Sequence, residues 1–310
     1  MKREIPRLNE FAKEFIEKYA KVRNKPSTIH SKEAELRLYI RPALGKLKLD
    51  DIRIREIDGM IADLISRGLS AKSVNNVLAT LGKMLRYAEE IELLPKAPRI
   101  KLLKVPPSDY DFLDFDEADR LLVSTFEKEP QWYPLVLTML RTGMRFGEAS
   151  ELRWRDVDLV AGKILVRRNH VRGHVGTPKS GKSREIPLSP QTVEVLKKTR
   201  HLKGDLVFCY ENGSRLDYHR MNEVLWRLCR RAGLREINWH TCRHTFASHL
   251  VMRGESLKAA QELLGHSTIE MTMRYAHLAP VVMRDAVAKL DSPVIGLRLP
   301  GANFHKTECN

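Results

Sequence analysis

The 310-residue chain has little of what marks secreted or membrane-inserted proteins. Its four cysteines, Cys209, Cys229, Cys242 and Cys309, are scattered and form no C-x-x-C pair, so neither a zinc ribbon nor a disulfide framework is suggested. They read as reduced thiols in a cytoplasm. No apolar run approaches the roughly 20 residues a spanning helix needs. The N-terminus, MKREIPRLNE, lacks the apolar core of a secretory signal. Large-scale disorder is also set aside, since 43% of residues are hydrophobic, and the length allows two domains with separate cores.

What the chain has in excess is positive charge. Lys and Arg number 54 against 39 Asp and Glu, a formal charge of +15, with a sequence pI near 9.7. That points to a polyanionic partner. Residues 1–105 carry 23 Lys and Arg against 14 Asp and Glu, which places more than half of the excess in the first third and concentrates the electrostatic footprint there.

From Leu8 to about Leu94 the pattern is helical. In SAKSVNNVLATLGKMLRYAEE, Val74, Val77, Leu78, Leu81, Leu85 and Ala88 recur at a 3.6-residue period, with Ser70 or Ser73 as cap. The opposite face offers Lys72, Asn76, Lys83 and Arg86, read here as DNA contacts against the plainer alternative of a solvated face. An earlier helix is expected to begin at Ser27/Thr28 and to end before Arg41-Pro42, because a residue preceding proline is pushed out of the α region. The four prolines of residues 95–109 read as a linker. The domain reading is therefore 1–94 helical, 95–109 linker, 110–290 catalytic and 291–310 tail.

Past the linker, Asp114 to Thr125 and Trp132 to Arg141 are expected as helices, with GEASELRWRDV continuing in helix after a glycine turn. GKILVRR and SREIPL have strand composition and flank GHVGTPKSGK, which favours a hairpin or a small three-stranded sheet. DLVF at 205–208 is a further short strand. Helices resume at about Tyr218 and run, with breaks, to Leu290. Ser267-Thr268-Ile269-Glu270 fits a capping box, whose helix would carry Tyr275 near its end. Val282, Met283, Ala286, Val287 and Leu290 then form an apolar stripe.

The segment HTCRHTFASH, residues 240–249, poses a choice between metal and anion. His240 and His244 share a helix face at the spacing of zinc hydrolases, but Thr241 stands where the general base belongs. Cys242 lies roughly 200° around the helix from His240. Arg243, nearly on the face of His240, would repel a divalent metal and welcome a phosphate. No metal site is expected. Arg145, in the glycine-flanked LRTGMRFGEAS, supplies a second guanidinium at a turn into a helix, where backbone N–H groups favour an anion. Two such groups can clamp the nonbridging oxygens of one phosphodiester and neutralise a pentavalent transition state.

In order and spacing, RTGMRFGE, TPKSGKSREIPL, HTCRH, LLGH and MRYAH resemble the motifs of the tyrosine recombinases, the family of phage integrases and Xer-type resolvases. The resemblance spans residues 8 to 290. It implies a mainly α fold with a small β-sheet: a helical core-binding domain and an α+β catalytic domain closing as a clamp around DNA. It implies catalytic roles for Arg145, Arg243, His240, His266 and the nucleophile Tyr275, with Glu148 buttressing. The hairpin lysine is Lys179, with Lys182 as second claimant. His244, His249 and His277 match no family role and read as structural, partnered histidines. The implied reaction is site-specific cleavage and rejoining of double-stranded DNA through a 3'-phosphotyrosine, as in phage or mobile-element integrases, without metal or nucleotide cofactor. A homotetramer on paired sites, monomeric when free, is implied too. A type IB topoisomerase and a regulator without catalysis are the competing readings. The small helical N-domain disfavours the first, the intact residue set the second. Many phage integrases carry an additional arm-binding domain; this chain enters its first helix by about Asn9, as expected of a simpler subgroup or of a shortened chain.

Overall fold

The computed structural model describes residues 4–106, 110–171, 173–178 and 181–279. They divide into two compact units: the chain up to residue 109 together with His170–Val175, and Tyr110–Asn169 with the chain from Gly176 onward.

The first unit is helical. Its long helix, Ala71–Glu90, is capped by Ser70, whose Oγ accepts from the Ser73 N–H at 3.2 Å. All six apolar positions of the sequence repeat are buried along it, joined by Thr80 and Met84. Leu8, Phe11, Phe15, Ile40 and Leu64 pack in the same core. Part of the segment read as a linker is tied to this unit. Asn75 donates to the Leu103 carbonyl at 2.9 Å and accepts from the Leu103 N–H at 2.8 Å, and Ala97, Ile100 and Leu103 pack against the core.

The helix expected to stop before Arg41-Pro42 does not stop there. Pro26–Glu35 runs through a π-type stretch, Leu36–Ile40, into Arg41–Leu44. The Arg41 N–H reaches back five residues to the Leu36 carbonyl. With the bond drawn from five residues back, the turn before Pro42 is wider than an α turn, and the helix continues where proline would break a regular α-helix.

The second unit has a three-stranded sheet in the order β1 (Val157–Asp158), β2 (Lys163–Val166), β5 (Arg184–Pro187); a separate two-stranded pair, β3 (Asn169–Val171) and β4 (His174–Gly176), falls mostly within the His170–Val175 segment of the first unit. Both pairings within the three-stranded sheet are antiparallel, and Ile164 faces Ile186 with both fully buried. Helices Phe115–Lys128, capped by Asp114, and Tyr133–Thr142 form as expected. GEASELRWRDV does not continue in helix: Phe146–Ala149 is a single turn, and the chain then runs through Trp154–Asp156 into β1. Its backbone bonds go elsewhere, the Leu152 carbonyl accepting from Val207 and the Trp154 N–H donating to Asp205. DLVF likewise is not a strand; it makes only an isolated bridge, Arg153 to Leu206. A helix absent from the sequence reading, Pro190–Thr199, starts at Ser189 with proline at its first position, a legible N-terminal signal.

Helix Trp239–Met252 is buried on nearly all sides, with Trp239, Cys242, Arg243, Phe246, Ala247, His249 and Val251 enclosed. It therefore shows no amphipathic stripe. Helix Leu257–Leu264 follows. The expected capping box does not form: helix Glu270–Met273 begins after Ile269 without a side-chain cap, and Tyr275 lies beyond its end, leading into the short turn Ala276–Leu278. The stripe from Val282 to Leu290 lies outside the described residues. Among the described residues no helix is long and apolar enough to cross a membrane.

Candidate active site

Two glycine turns organise the site. Gly143 ends helix Tyr133–Thr142 and Gly265 ends helix Leu257–Leu264, both in the left-handed conformation, with φ of 59° and 65°. A side chain at Gly143 would put its Cβ 2.4 Å from the Phe246 ring, so the position needs glycine for space as well as for φ. At these helix ends lie two carbonyls, of Gly143 and Leu264, and Arg243 spans them: Nη1 donates to Gly143 O and Nη2 to Leu264 O, both at 2.7 Å. Helix C-termini carry partial negative charge and unsatisfied carbonyls, so they suit a buried cation. Arg243 is only 2% exposed. Burial, then the nearby Arg145, pull its pKa down to about 9, which still leaves the guanidinium charged at neutral pH.

Each turn also delivers a polar residue just downstream. After Gly143 comes Arg145, whose Nη1 donates to Glu148 Oε1 and whose backbone N–H donates to Glu148 Oε2, both at 3.0 Å. After Gly265 comes His266, with Nδ1 2.8 Å from Thr272 Oγ1. Burial and then Arg243, Arg145, Arg274 and Arg184 press its pKa down to about 3, so the ring is neutral. A Thr272 hydroxyl donating to Nδ1 would leave the ring proton on Nε2, where it could be donated.

Glu148 is the fixed anion of the group. Burial alone would raise its pKa; the hydrogen bonds and charge of Arg184, then the charge of Arg145, more than offset this and hold it below the usual carboxylate range. Arg184 meets both carboxylate oxygens, Nη2 to Oε2 at 2.7 Å and Nη1 to Oε1 at 3.1 Å, while its Nε donates to the Leu263 carbonyl at 2.9 Å. Sequence reasoning missed Arg184, treating it as one residue of a strand.

Tyr275 is 1% exposed. Its hydroxyl lies 2.7 Å from Nδ1 of His244, the histidine to which no catalytic role was given. Burial raises the phenol pKa to about 12, with Arg243 and Arg274 working against the rise. His240 is exposed, its ring edge-on to His244 at 4.8 Å between centroids. His249 is partnered as read, bonded to the Leu113 carbonyl at 2.9 Å. Lys179 lies outside the described residues; Lys182 is described and exposed. Among the described residues no three His, Cys, Asp or Glu side chains are grouped to hold a metal ion.

Residues 111–281, more than half of the chain, match the family model described as "Phage integrase family", and residues 7–65 match "Phage integrase, N-terminal SAM-like domain". A protein named tyrosine recombinase from Thermosipho africanus is 25% identical over 279 residues, covering 86% of this chain and 94% of that one. The chain belongs to the phage integrase family of tyrosine recombinases. Members of that family break and rejoin DNA strands, and this recombinase is such an enzyme. Its fold is also that of the Tn1549 transposon integrase solved with transposon right end DNA, at a TM-score of 0.79 and 20% identity, covering 92% of the recombinase and 99% of that chain. The lambda integrase tetramer bound to a Holliday junction superposes at 0.70 with 22% identity, covering 88% and 78%.

On the first unit of the recombinase, Lys72, Asn76 and Arg86 are exposed on helix Ala71–Glu90. Lys83 is half-buried, its ammonium 4.9 Å from the centre of the Tyr19 ring and 3.3 Å from Glu90.

Proposed function

We propose that the recombinase cleaves DNA at specific sites with Tyr275 as nucleophile, forming a 3'-phosphotyrosine that a different strand's 5'-hydroxyl later reverses, and that it serves a phage or mobile element. The observation that carries this is the gathering of Arg145, Arg243 and His266 at two glycine turns, with a tyrosine hydroxyl held by the residue next to Arg243. The two guanidiniums suit the nonbridging oxygens of a phosphodiester and the added charge of its transition state. Neutral His266 serves as a further donor to those oxygens. His240 takes the phenolic proton, and the hairpin lysine, Lys179 before Lys182, protonates the leaving 5'-oxygen. A covalent intermediate conserves the energy of the broken phosphodiester, so the reaction needs no ATP.

The partner in this reading is double-stranded DNA, with Lys72, Asn76 and Arg86 on phosphates; the Lys83 ammonium, engaged by Glu90 and the Tyr19 ring, is not counted among them. The active assembly is a homotetramer on paired sites, formed from free monomers in the cytoplasm; the tetrameric lambda integrase, alike in fold, supports this. The test is a nicked suicide duplex, selected for covalent capture by the wild-type chain. Tyr275→Phe is expected to bind the duplex and to form no covalent band on a denaturing gel. A band persisting in that variant overturns the assignment.

A further inference from the structure

We propose that His244 is a positioning residue for the nucleophile: its ring accepts the Tyr275 hydroxyl through Nδ1 and fixes the direction of the phenol relative to Arg243. This rests on Tyr275 being the nucleophile.

The backbone around Tyr275 is a weak guide for its side chain. The preceding helix, Glu270–Met273, is one turn long, and the following turn, Ala276–Leu278, has three residues. Direction must therefore come from side-chain contacts. Two polar rings supply it: Tyr110 meets the phenol edge-on at 4.9 Å between centroids, and His244 takes its hydroxyl at 2.7 Å. The ring is buried in one apolar cluster with Phe246, Ala247, Val251, Ala260 and Leu264.

His244 in turn is held by the 14-residue helix Trp239–Met252, ten of whose residues are buried, and Arg243 is its neighbour on that helix. One rigid element thus carries both the guanidinium suited to phosphate and the ring that aims the attacking oxygen. The helix fixes their separation, and a misplacement of about 1 Å at such a site costs on the order of 100-fold in rate.

The protonation states agree with a holding role. Burial, then His240, Arg274 and Arg243, drive the His244 pKa down to about 4, with Asp111 weakly opposing. Tyr275 is raised to about 12 by burial and slightly by Tyr110, against Arg243 and Arg274. At neutral pH both groups are uncharged, the state in which the phenol can donate to an unprotonated Nδ1. A ring so weakly basic does not draw the proton from so weak an acid, so His244 aims the hydroxyl and leaves its deprotonation to another group.

The experiment compares three full-length variants on the selected suicide duplex: His244→Asn, which keeps an acceptor near Nδ1 but takes up no proton, and His244→Phe and His244→Leu, which offer no acceptor. Each is checked by thermal unfolding, so that at least one acceptor-free variant with a native midpoint is used. At saturating protein the acceptor-free variant is expected to cleave about 100-fold more slowly, with unchanged affinity for the duplex. His244→Asn is expected to recover most of the rate and to keep the acid limb of the wild-type pH profile. Wild-type rates without an acceptor, or an Asn variant as slow as the acceptor-free one, overturn the proposal. Tyr275→Phe runs alongside: an adduct in that variant refutes the nucleophile, whereas its loss together with wild-type His244 variants refutes only the positioning role.

Discussion

Arg184 and Glu148 form a two-pronged ion pair in the interior, with nitrogen to oxygen distances of 2.7 and 3.1 Å and the carboxylate fully enclosed. Because Glu148 also holds the backbone and side chain of Arg145, the pair joins strand β5 to the turn that delivers a catalytic guanidinium. Breaking a buried pair by removing one partner leaves an uncompensated charge and costs about 3 to 5 kcal/mol. Arg145 remains beside Glu148, so Arg184→Ala should fall at about 3 kcal/mol, read from denaturant unfolding. A loss within about 0.5 kcal/mol, the scale of neutral surface changes, would mean that the pair contributes little.

Arg243→Lys should be nearly as damaging as Arg243→Ala. An ammonium cannot reach both the Gly143 and Leu264 carbonyls while presenting a planar fork to phosphate. The expected loss in single-turnover cleavage is about 100- to 1000-fold, with duplex binding largely kept. A lysine variant cleaving within tenfold of wild type would remove the geometric requirement.

Acid should destabilise the protein before its carboxylates titrate. His244, His266 and His249 are held neutral by burial, with pKa values lowered to about 4 for the first, about 3 for the second and below the ordinary value for the third. Unfolded, each protonates near pH 6.5. As pH falls below about 6.5 the unfolded chain binds more protons than the folded one, so stability is lost across that window. Glu148, held below the carboxylate range, contributes only at lower pH. The unfolding midpoint should drop by several degrees between pH 7 and 5, and by less in His244→Asn. A midpoint flat across that range would place the histidines in ordinary surroundings.

Salt dependence tests the exposed face of helix Ala71–Glu90. Replacing Lys72 and Arg86 with alanine should lower the slope of log affinity against log salt by about two units, at roughly 0.9 per lost phosphate contact. Lys83→Ala should change the slope little, since its ammonium is occupied by Glu90 and the Tyr19 ring. An unchanged slope in the double variant would assign the face to solvent.

Local chemistry made much of this legible. The period that buries Val74 to Ala88, the Asp114 cap and the antiparallel partners of the hairpin all follow from side chains acting on their own segment. What was hidden depends on distant partners. Arg184 reads as a strand residue until Glu148, 36 positions earlier, is placed against it, and His244 gains its partner only when Tyr275 arrives from 31 positions later. The π-type turn before Pro42 escaped because proline argues only against an α-helix. GEASELRWRDV has helical composition, yet Glu148 and Glu151 are drawn inside by Arg184, Arg153 and Arg215, and the chain turns away after one turn.

In the proposed chemistry one phenol, that of Tyr275, makes the covalent bond to DNA. The direct measurement is mass spectrometry of the trapped complex, digested with nuclease and protease to leave a nucleotide on its attachment residue. A nucleotide adduct is expected on the peptide bearing Tyr275, located to that side chain by fragmentation. An adduct on any other residue, or a trapped complex whose Tyr275 peptide is wholly unmodified, would contradict it.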